Sequence, residues 1–249
     1  MNINILFPVY NEEKRLERGI RRTYEFINKY LIPNENSGKT LEYQLTIVDN
    51  ASVDKTEEIA KQLEAEIEQV KYIRITEKGV GAAFRAGVAD NKRDIVGYMD
   101  VDLSTDLRHL MSVIGIFEEN PDIMVVNGSK QAKGAKTIGR KWYRNLTSKG
   151  LTMVMKARLG MKQADAICGF KFFRKEFVEE LIEQADRTEN GWFFIIELLI
   201  RAERSGKVVM ELPVRYTEEE GGHVNVIAQT MDYLKNIKKL RKTLDGINR

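Results

Sequence analysis

Cysteine is nearly absent from this 249-residue chain, where Cys168 stands alone. A single thiol excludes an internal disulfide framework and suits a reducing compartment. No apolar run approaches about 18 residues, so no membrane-spanning helix is expected. The first strand-like run, INILF, begins at Ile3 without a basic leader, which argues against a signal peptide. Internal repeats, low-complexity tracts and a marked linker are missing as well. The chain therefore reads as one cytoplasmic domain over residues 1–249, long enough for a sizeable core.

Acidic residues are missing over one long stretch. From Lys130 to Lys162 there are ten Lys or Arg and no Asp or Glu, although the net charge of the whole chain is only +3. A solvated basic face is the plain explanation. Thirty-three residues without an acid point further, to an anionic partner such as phosphate, nucleic acid or a lipid headgroup.

What is present in the first half is alternation. INILF (3–7), QLTIVD (44–49), VKYIRI (70–75), DIVGYM (94–99) and IMVVN (123–127) are short, rich in Ile and Val, and read as buried strands. Helical patterns fall between them near 12–31, 54–66, 80–91 and 106–119. Such βαβ alternation predicts an α/β fold with a mainly parallel, Rossmann-like central sheet flanked by helices. Asp54 with Glu57 three residues on has the register of a capping box. The second half is less regular: helices are expected over about 141–158, 175–185 and 192–205. CGFKFFR reads as a short strand, KVVMELPVRY as a strand whose pairing Pro213 limits, and PNENSGKT (33–40) as a polar loop.

A last helix, about 224–244, carries Ile227, Met231, Leu234, Ile237, Leu240 and Leu244 at helical spacing, with Lys235, Lys238, Lys239, Arg241 and Lys242 on the other face. The stripe either packs on its own domain or lies on a membrane surface.

Ligands of open parallel sheets sit outside the carboxyl ends of the strands. There the sequence turns polar: Pro8 to Glu12 after the first strand, Asp49 to Ser52 after the second, and DVDLSTD from Asp100 after the fourth. Asp100 and Asp102 project to one side of an extended chain. Two carboxylates held together repel unless a cation joins them, and Mg²⁺ or Mn²⁺ fits, with phosphate oxygens and water completing its shell. A calcium loop is excluded, because Thr105 and Met111 stand where an EF-hand needs Gly and Glu. Gly79-x-Gly81 lacks the third glycine of a dinucleotide fingerprint, and reads as a tight helix entry with room for a ligand.

FPVYNEE, VDNASVDKT, KGVGAAFRAG, YMDVDLSTD, NGSK, CGFKFFRKE, GWFFIIELLIRAERSG and ELPVRY, in this order over residues 3–230, make the chain resemble glycosyltransferase family 2. Within that family it is most similar to the dolichyl-phosphate mannose and polyprenyl-phosphate glucose synthases. The resemblance implies a GT-A fold, a UDP- or GDP-sugar donor and a metal at an Asp-x-Asp motif. It places Pro8, Tyr10 and Glu12 along the nucleotide, Asp49 on its base or ribose, and Gly79 and Arg85 in the flanking segment. Asp100 and Asp102 become the metal pair, with Ser104 beside them. Asp49 reads equally as a helix-entry cap. The chain departs from the pattern at Lys130, where Arg is usual, at Ile195, two positions before Glu197, where Asp is common, and at His223, where a Lys often faces the diphosphate.

On this basis Asp102, Lys130 and Glu197 are the candidate catalytic residues, and Arg140 and Arg144 the candidate contacts of an acceptor phosphate. Three functions stay open: an inverting transferase to a polyprenyl phosphate; an inverting transferase to a saccharide hydroxyl with Glu197 as base; and a non-catalytic binder of nucleotide sugar or anionic polymer. A lipid acceptor would bring the chain to the cytosolic face of a membrane, by peripheral contact of residues 130–162 and 224–244 or through a partner protein. Homo-oligomerisation is left open.

Overall fold

The computed structural model describes residues 1–32, 41–218 and 226–247. Along the chain run β1 (Asn2–Val9), α1 (Leu16–Tyr30), β2 (Glu42–Asn50), α2 (Thr56–Glu66), β3 (Val70–Ile75), α3 (Val80–Asp90), β4 (Ile95–Met99), α4 (His109–Glu119) and β5 (Ile123–Ser129). Then come β6 (Lys136–Ile138), α5 (Trp142–Leu159), β7 (Phe170–Arg174), α6 (Lys175–Gln184), α7 (Phe193–Arg204), β8 (Val208–Pro213), β9 (Arg215–Thr217) and α8 (Val226–Ile247). The loop expected at 33–40 and the candidate His223 lie outside the described residues.

Seven strands form one sheet in the order β3-β2-β1-β4-β7-β5-β8. All neighbours pair in parallel except β7, which runs antiparallel between β4 and β5. Successive side chains of a strand point to opposite faces, and each face has its own apolar core. Val96 and Tyr98 of β4 face one core with Phe84 of α3 and Phe194 of α7. Ile95 and Met99 face the other with Ile20 of α1 and Val113 of α4. Gly97 sits mid-strand because Phe172 of β7 lies across it; a Cβ there would come within 2.5 Å of the ring. The mainly parallel, two-faced sheet is the architecture expected from the alternation of strands and helices.

Local departures have physical reasons. The expected capping box does not form: Asp54 accepts the Thr56 N–H (3.0 Å), while Glu57 pairs with Lys61 and Arg74. α1 starts later than predicted because Glu12 still belongs to the strand-end loop, its carbonyl accepting the Arg15 and Leu16 N–H groups. KVVMELPVRY is broken at Pro213. β8 ends the sheet there, and β9 leaves it to pair with β6 in a two-stranded ribbon that the sequence did not announce.

The stripe of α8 also divides. Ile237, Leu240 and Leu244 are buried with Tyr233, but Ile227, Met231 and Leu234 are exposed. At about 100° per residue, Met231 and Leu240 point in opposite directions, so one stripe could not bury both.

Candidate active site

Because β1, β2, β4 and β5 are parallel, their polar carboxyl ends share one edge of the sheet. β7, running the other way, brings its first residues to that same edge. A cleft of about 740 Å³ opens there, a size that suits a small-molecule ligand. Its floor is Pro8, Tyr10, Asn11 and Glu12 after β1, Asn50 at the end of β2, and Asp100, Asp102 and Ser104 after β4. One wall is Lys78 and Gly79 with Gly191 and Trp192; the other is Lys130, Arg140 and Arg144, with the first turns of α5 and α8. The ribbon adds Tyr216 and Glu218.

Among the described residues three non-glycine residues have left-handed backbones, Asn11 (φ 55°), Ala51 (φ 67°) and Leu103 (φ 60°), and all three lie at these strand ends. Such conformations cost about 1–3 kcal/mol each and cluster at functional sites. Neighbours hold them: Asn11 donates its N–H to Ser52 Oγ (2.9 Å) and accepts the Val53 N–H (2.9 Å), and Asp102 accepts the Ser104 N–H (2.8 Å) across Leu103.

The Asp100 carboxylate rests against the Cα of Gly169, where any Cβ would lie within 2.6 Å of both its oxygens. Burial, and then the charge of Asp102, push its carboxyl up to about 7. The buried Ser104 hydroxyl has no hydrogen-bond partner. A carboxylate pair this ill at ease, beside an unpartnered hydroxyl, fits a hard divalent cation. Among the described residues no third His, Cys, Asp or Glu joins them, so substrate oxygens and water would complete its shell.

Cations surround the pair. The Lys130 ammonium lies over the Tyr216 ring, 4.8 Å from its centroid, and its backbone N–H is anchored on Asp165 (3.0 Å). Burial works to lower its pKa, but Asp165, Cys168 and Tyr216 outweigh that and hold it above the usual lysine value. Arg140 donates to Ser148 (2.6 Å), and Arg144 is ion-paired with Glu218. Two buried atoms of cleft-lining residues, Arg140 Nε on the basic wall and Glu218 Oε2 on the ribbon, lack hydrogen-bond partners. Behind the floor, fully buried Lys171 donates to the Cys168 carbonyl (2.5 Å), and burial lowers its pKa to about 8.

Of the residues singled out in the sequence, Pro8, Tyr10, Glu12, Gly79, Asp100, Asp102, Lys130, Arg140 and Arg144 meet in this cleft. Three do not. Asp49 is fully buried, with one oxygen on the Ser52 N–H (2.8 Å) and the other on Tyr72 (3.0 Å) and Arg74 (3.3 Å), so it shapes the turn as a cap would. Arg85 donates to the Glu189 carbonyl (2.7 Å) and to Asn190, and stacks on Phe194, which ties α3 to the 189–191 loop. Glu197 is buried in an ion pair with Arg201 (2.7 Å), beside a separate pocket between α7 and α8. Helix α7 is buried on nearly all sides and aims that carboxylate away from the cleft. The glycine entry of α3 is likewise filled from inside: the Asn190 carbonyl accepts the Gly81 N–H (2.8 Å) and occupies the place of a Gly79 Cβ.

Sequence reasoning missed Lys78, which donates to the Tyr10 hydroxyl (2.9 Å), as well as Gly169, Lys171, Tyr216 and Glu218. Only Gly169 and Lys171 left a signal, a glycine opening a strand and a charge inside an apolar one.

The mainly parallel sheet with helices on both faces is the GT-A fold, which solved sugar transferases share. One is the glucosyl-3-phosphoglycerate synthase of Mycobacterium tuberculosis, solved with uridine diphosphate. It superposes with a TM-score of 0.70 over 97% of this chain and 80% of its own, at 17% identity. The same enzyme with Mn²⁺, uridine diphosphate and phosphoglyceric acid gives 0.69 over 96% and 78%, at 16% identity. The chain belongs to glycosyl transferase family 2, whose sequence pattern it matches over residues 4–182. It is 30% identical over its whole length to dolichol-phosphate mannosyltransferase of Pyrococcus furiosus, covering 66% of that protein. It is 26% identical to glycosyltransferase AglD of Haloferax volcanii over 91% of this chain and 35% of that one. The chain thus spans between one third and two thirds of these two relatives.

Proposed function

We propose that the protein transfers a sugar, with inversion, from a UDP- or GDP-sugar to the phosphate of a polyprenyl, dolichyl-type lipid. The observation that carries this is the asymmetry of the cleft: a metal-type acid pair on the floor faces Lys130, Arg140 and Arg144, while Glu197 points elsewhere. A saccharide hydroxyl would need a base to remove its proton. Among the described residues, the glutamates that do line the cleft are engaged, Glu12 with Arg15 (2.7 Å) and Glu218 with Arg144. A lipid monophosphate needs no base, since its second pKa of about 6 leaves it largely ionised at neutral pH. The names of relatives support the same acceptor: dolichol-phosphate mannosyltransferase in Pyrococcus furiosus and dolichyl-phosphate beta-glucosyltransferase in Dictyostelium discoideum.

In this reading Tyr10, Glu12, Lys78 and Gly79 border the nucleotide. Asp100 and Asp102 would hold Mg²⁺ or Mn²⁺, which neutralises the charge that develops on the leaving diphosphate. Lys130, desolvated beside Tyr216, adds a fixed positive charge at that place. Arg140 and Arg144 orient the acceptor phosphate, because a planar guanidinium matches two phosphate oxygens at once. One phosphate oxygen attacks the anomeric carbon from the face opposite the diphosphate. The bond from carbon to the diphosphate oxygen breaks, and nucleoside diphosphate leaves with its electron pair. Such an acceptor would place the protein at the cytosolic face of a membrane. The test is nucleoside diphosphate release from a panel of UDP- and GDP-sugars with Mn²⁺ and a short-chain prenyl phosphate. Release with a free saccharide and none with the phosphate would refute the assignment.

A further inference from the structure

The stretch from Lys130 to Lys162, without an acid of its own, supplies the basic wall of the cleft, yet the fold sets one carboxylate in that wall. Among the described residues that line the cleft, Glu12, Asp100 and Asp102 belong to the floor, and Glu218 alone stands with Lys130, Arg140 and Arg144. The ribbon brings it there. Ile138 of β6 pairs with Thr217 of β9, which sets Glu218 beside the residues that follow β6. Gly139, at φ 73°, lets the chain turn at that point and carry Arg140 onto the wall. The backbone of Glu218 is held: its N–H donates to the Ile138 carbonyl (3.0 Å), and the Thr217 N–H to the Ser104 carbonyl (2.8 Å). Only its side chain is left to move.

That side chain is ion-paired with Arg144. The two are 12% and 23% exposed, so water screens the pair little. The arrangement is nevertheless incomplete on both sides. Glu218 Oε2 is buried without a hydrogen-bond partner, and so is Arg140 Nε, although Arg140 donates from another nitrogen to Ser148 Oγ (2.6 Å). A buried charged atom left unpaired destabilises the state that leaves it so. The wall at rest therefore holds an anion that a better-matched one can displace.

We infer that Glu218 is a specificity-determining residue: it holds the acceptor's place on Arg144 and yields it to a phosphate monoester, but not to a phosphodiester or a carboxylate. The reason is a comparison of charges. A singly charged anion that displaces Glu218 exchanges one unit of charge for another and leaves the glutamate without its cation. A monoester dianion brings a second charge and a third free oxygen. It can occupy Arg144 and the unpartnered Arg140 Nε together, and its attraction to the wall is about twice that of a monoanion at the same distance. Glu218 thus sets a threshold that ordinary anions do not pass, which is selection by repulsion of the wrong ligand as well as attraction of the right one. The inference rests on the lipid-phosphate reading for the identity of the acceptor, and on the cleft alone for the choice of monoester over diester.

The test is calorimetric titration of the full chain at about pH 8, where a monoester carries two charges, with geranyl phosphate and with its methyl diester. The wild type should bind the monoester about tenfold or more tightly than the diester, the worth of one hydrogen bond to a charged group. Glu218→Gln should tighten the diester by about tenfold and the monoester by less, so that the ratio narrows. Glu218→Asp keeps the charge and should keep the ratio. Each ratio is taken within one protein, so a loss of folded fraction does not move it. A wild type that binds the two compounds alike, or binds neither, overturns the proposal. So does a Gln variant with an unchanged ratio, or one that binds both more weakly, since Glu218 would then only hold Arg144 in position. Glycerol phosphate separates headgroup from tail: selected over its diester and bound as tightly as geranyl phosphate, it would support the selector and overturn only the lipid acceptor. Selective binding of geranyl phosphate without sugar transfer to it would likewise support the selector and overturn only the reaction.

Discussion

Replacing Gly169 by Ala isolates the contact that seats the acid pair. No positive φ marks this glycine, so the effect is one of contact rather than of backbone strain. The new Cβ would come within 2.6 Å of both Asp100 oxygens, against an ordinary contact of about 3.5 Å. The nearer oxygen would lie at only 2.1 Å, so about 1.4 Å must be found, and the backbone yields little, because the Asp100 N–H is bonded to the Gly169 carbonyl (3.3 Å) beside the β4–β7 ladder. The carboxylate must therefore swing away. A misplacement of about 1 Å at a reacting centre costs on the order of 100-fold in rate, and overpacking costs about 1–3 kcal/mol of stability. The assay is Mn²⁺-dependent nucleotide binding by titration calorimetry, with sugar transfer and a thermal melt in parallel. Gly115→Ala serves as control: on α4 its Cβ meets nothing within 4 Å, and the helix should gain about 0.5–1 kcal/mol with activity unchanged. A folded Gly169→Ala protein with undiminished metal-dependent binding and transfer would refute the placement of the cation at Asp100.

Asp102→Asn should abolish metal-dependent donor binding while a circular dichroism spectrum stays native; persistence of that dependence would move the metal elsewhere. Glu197→Gln should leave transfer to a prenyl phosphate within a few-fold of the wild type, yet lower the melting temperature by breaking the buried pair with Arg201. A 10²–10⁴-fold loss of rate at unchanged stability, roughly what a missing base costs, would contradict the base-free mechanism. Lys171, lowered to about 8 by burial against the pull of Cys168 and Asp165, binds its proton less well folded than unfolded. Its penalty is present in full below pH 8 and disappears as pH rises toward 10.5, so this residue makes stability climb across that window. Lys171→Met should remove the climb, worth at most about 3 kcal/mol, and urea unfolding at pH 7.5 and 9.5 compares the two proteins. Equal slopes would show that the buried ammonium is not penalised.

The local grammar of the chain settled much. Short Ile- and Val-rich runs separated by helical patterns cannot bury themselves except as a parallel sheet with helices on both faces, so the sheet and its polar carboxyl edge were legible. Asp100 and Asp102 were legible as well, because the twofold period of a strand sets residues two apart on one side. Other features were decided by tertiary contacts between residues far apart in sequence. Nothing local distinguishes Asp49, whose oxygens are consumed by Tyr72 and Arg74 of the next strand. Nothing local turns Glu197 away from Asp100; the burial of α7 between sheet and α8 does. The antiparallel insertion of β7 carries Gly169 to Asp100, and the break at Pro213 sends Tyr216 over Lys130. In α8 the helical period could be counted from the sequence, but which side faced the core depended on where α5 lay, and only packing set that.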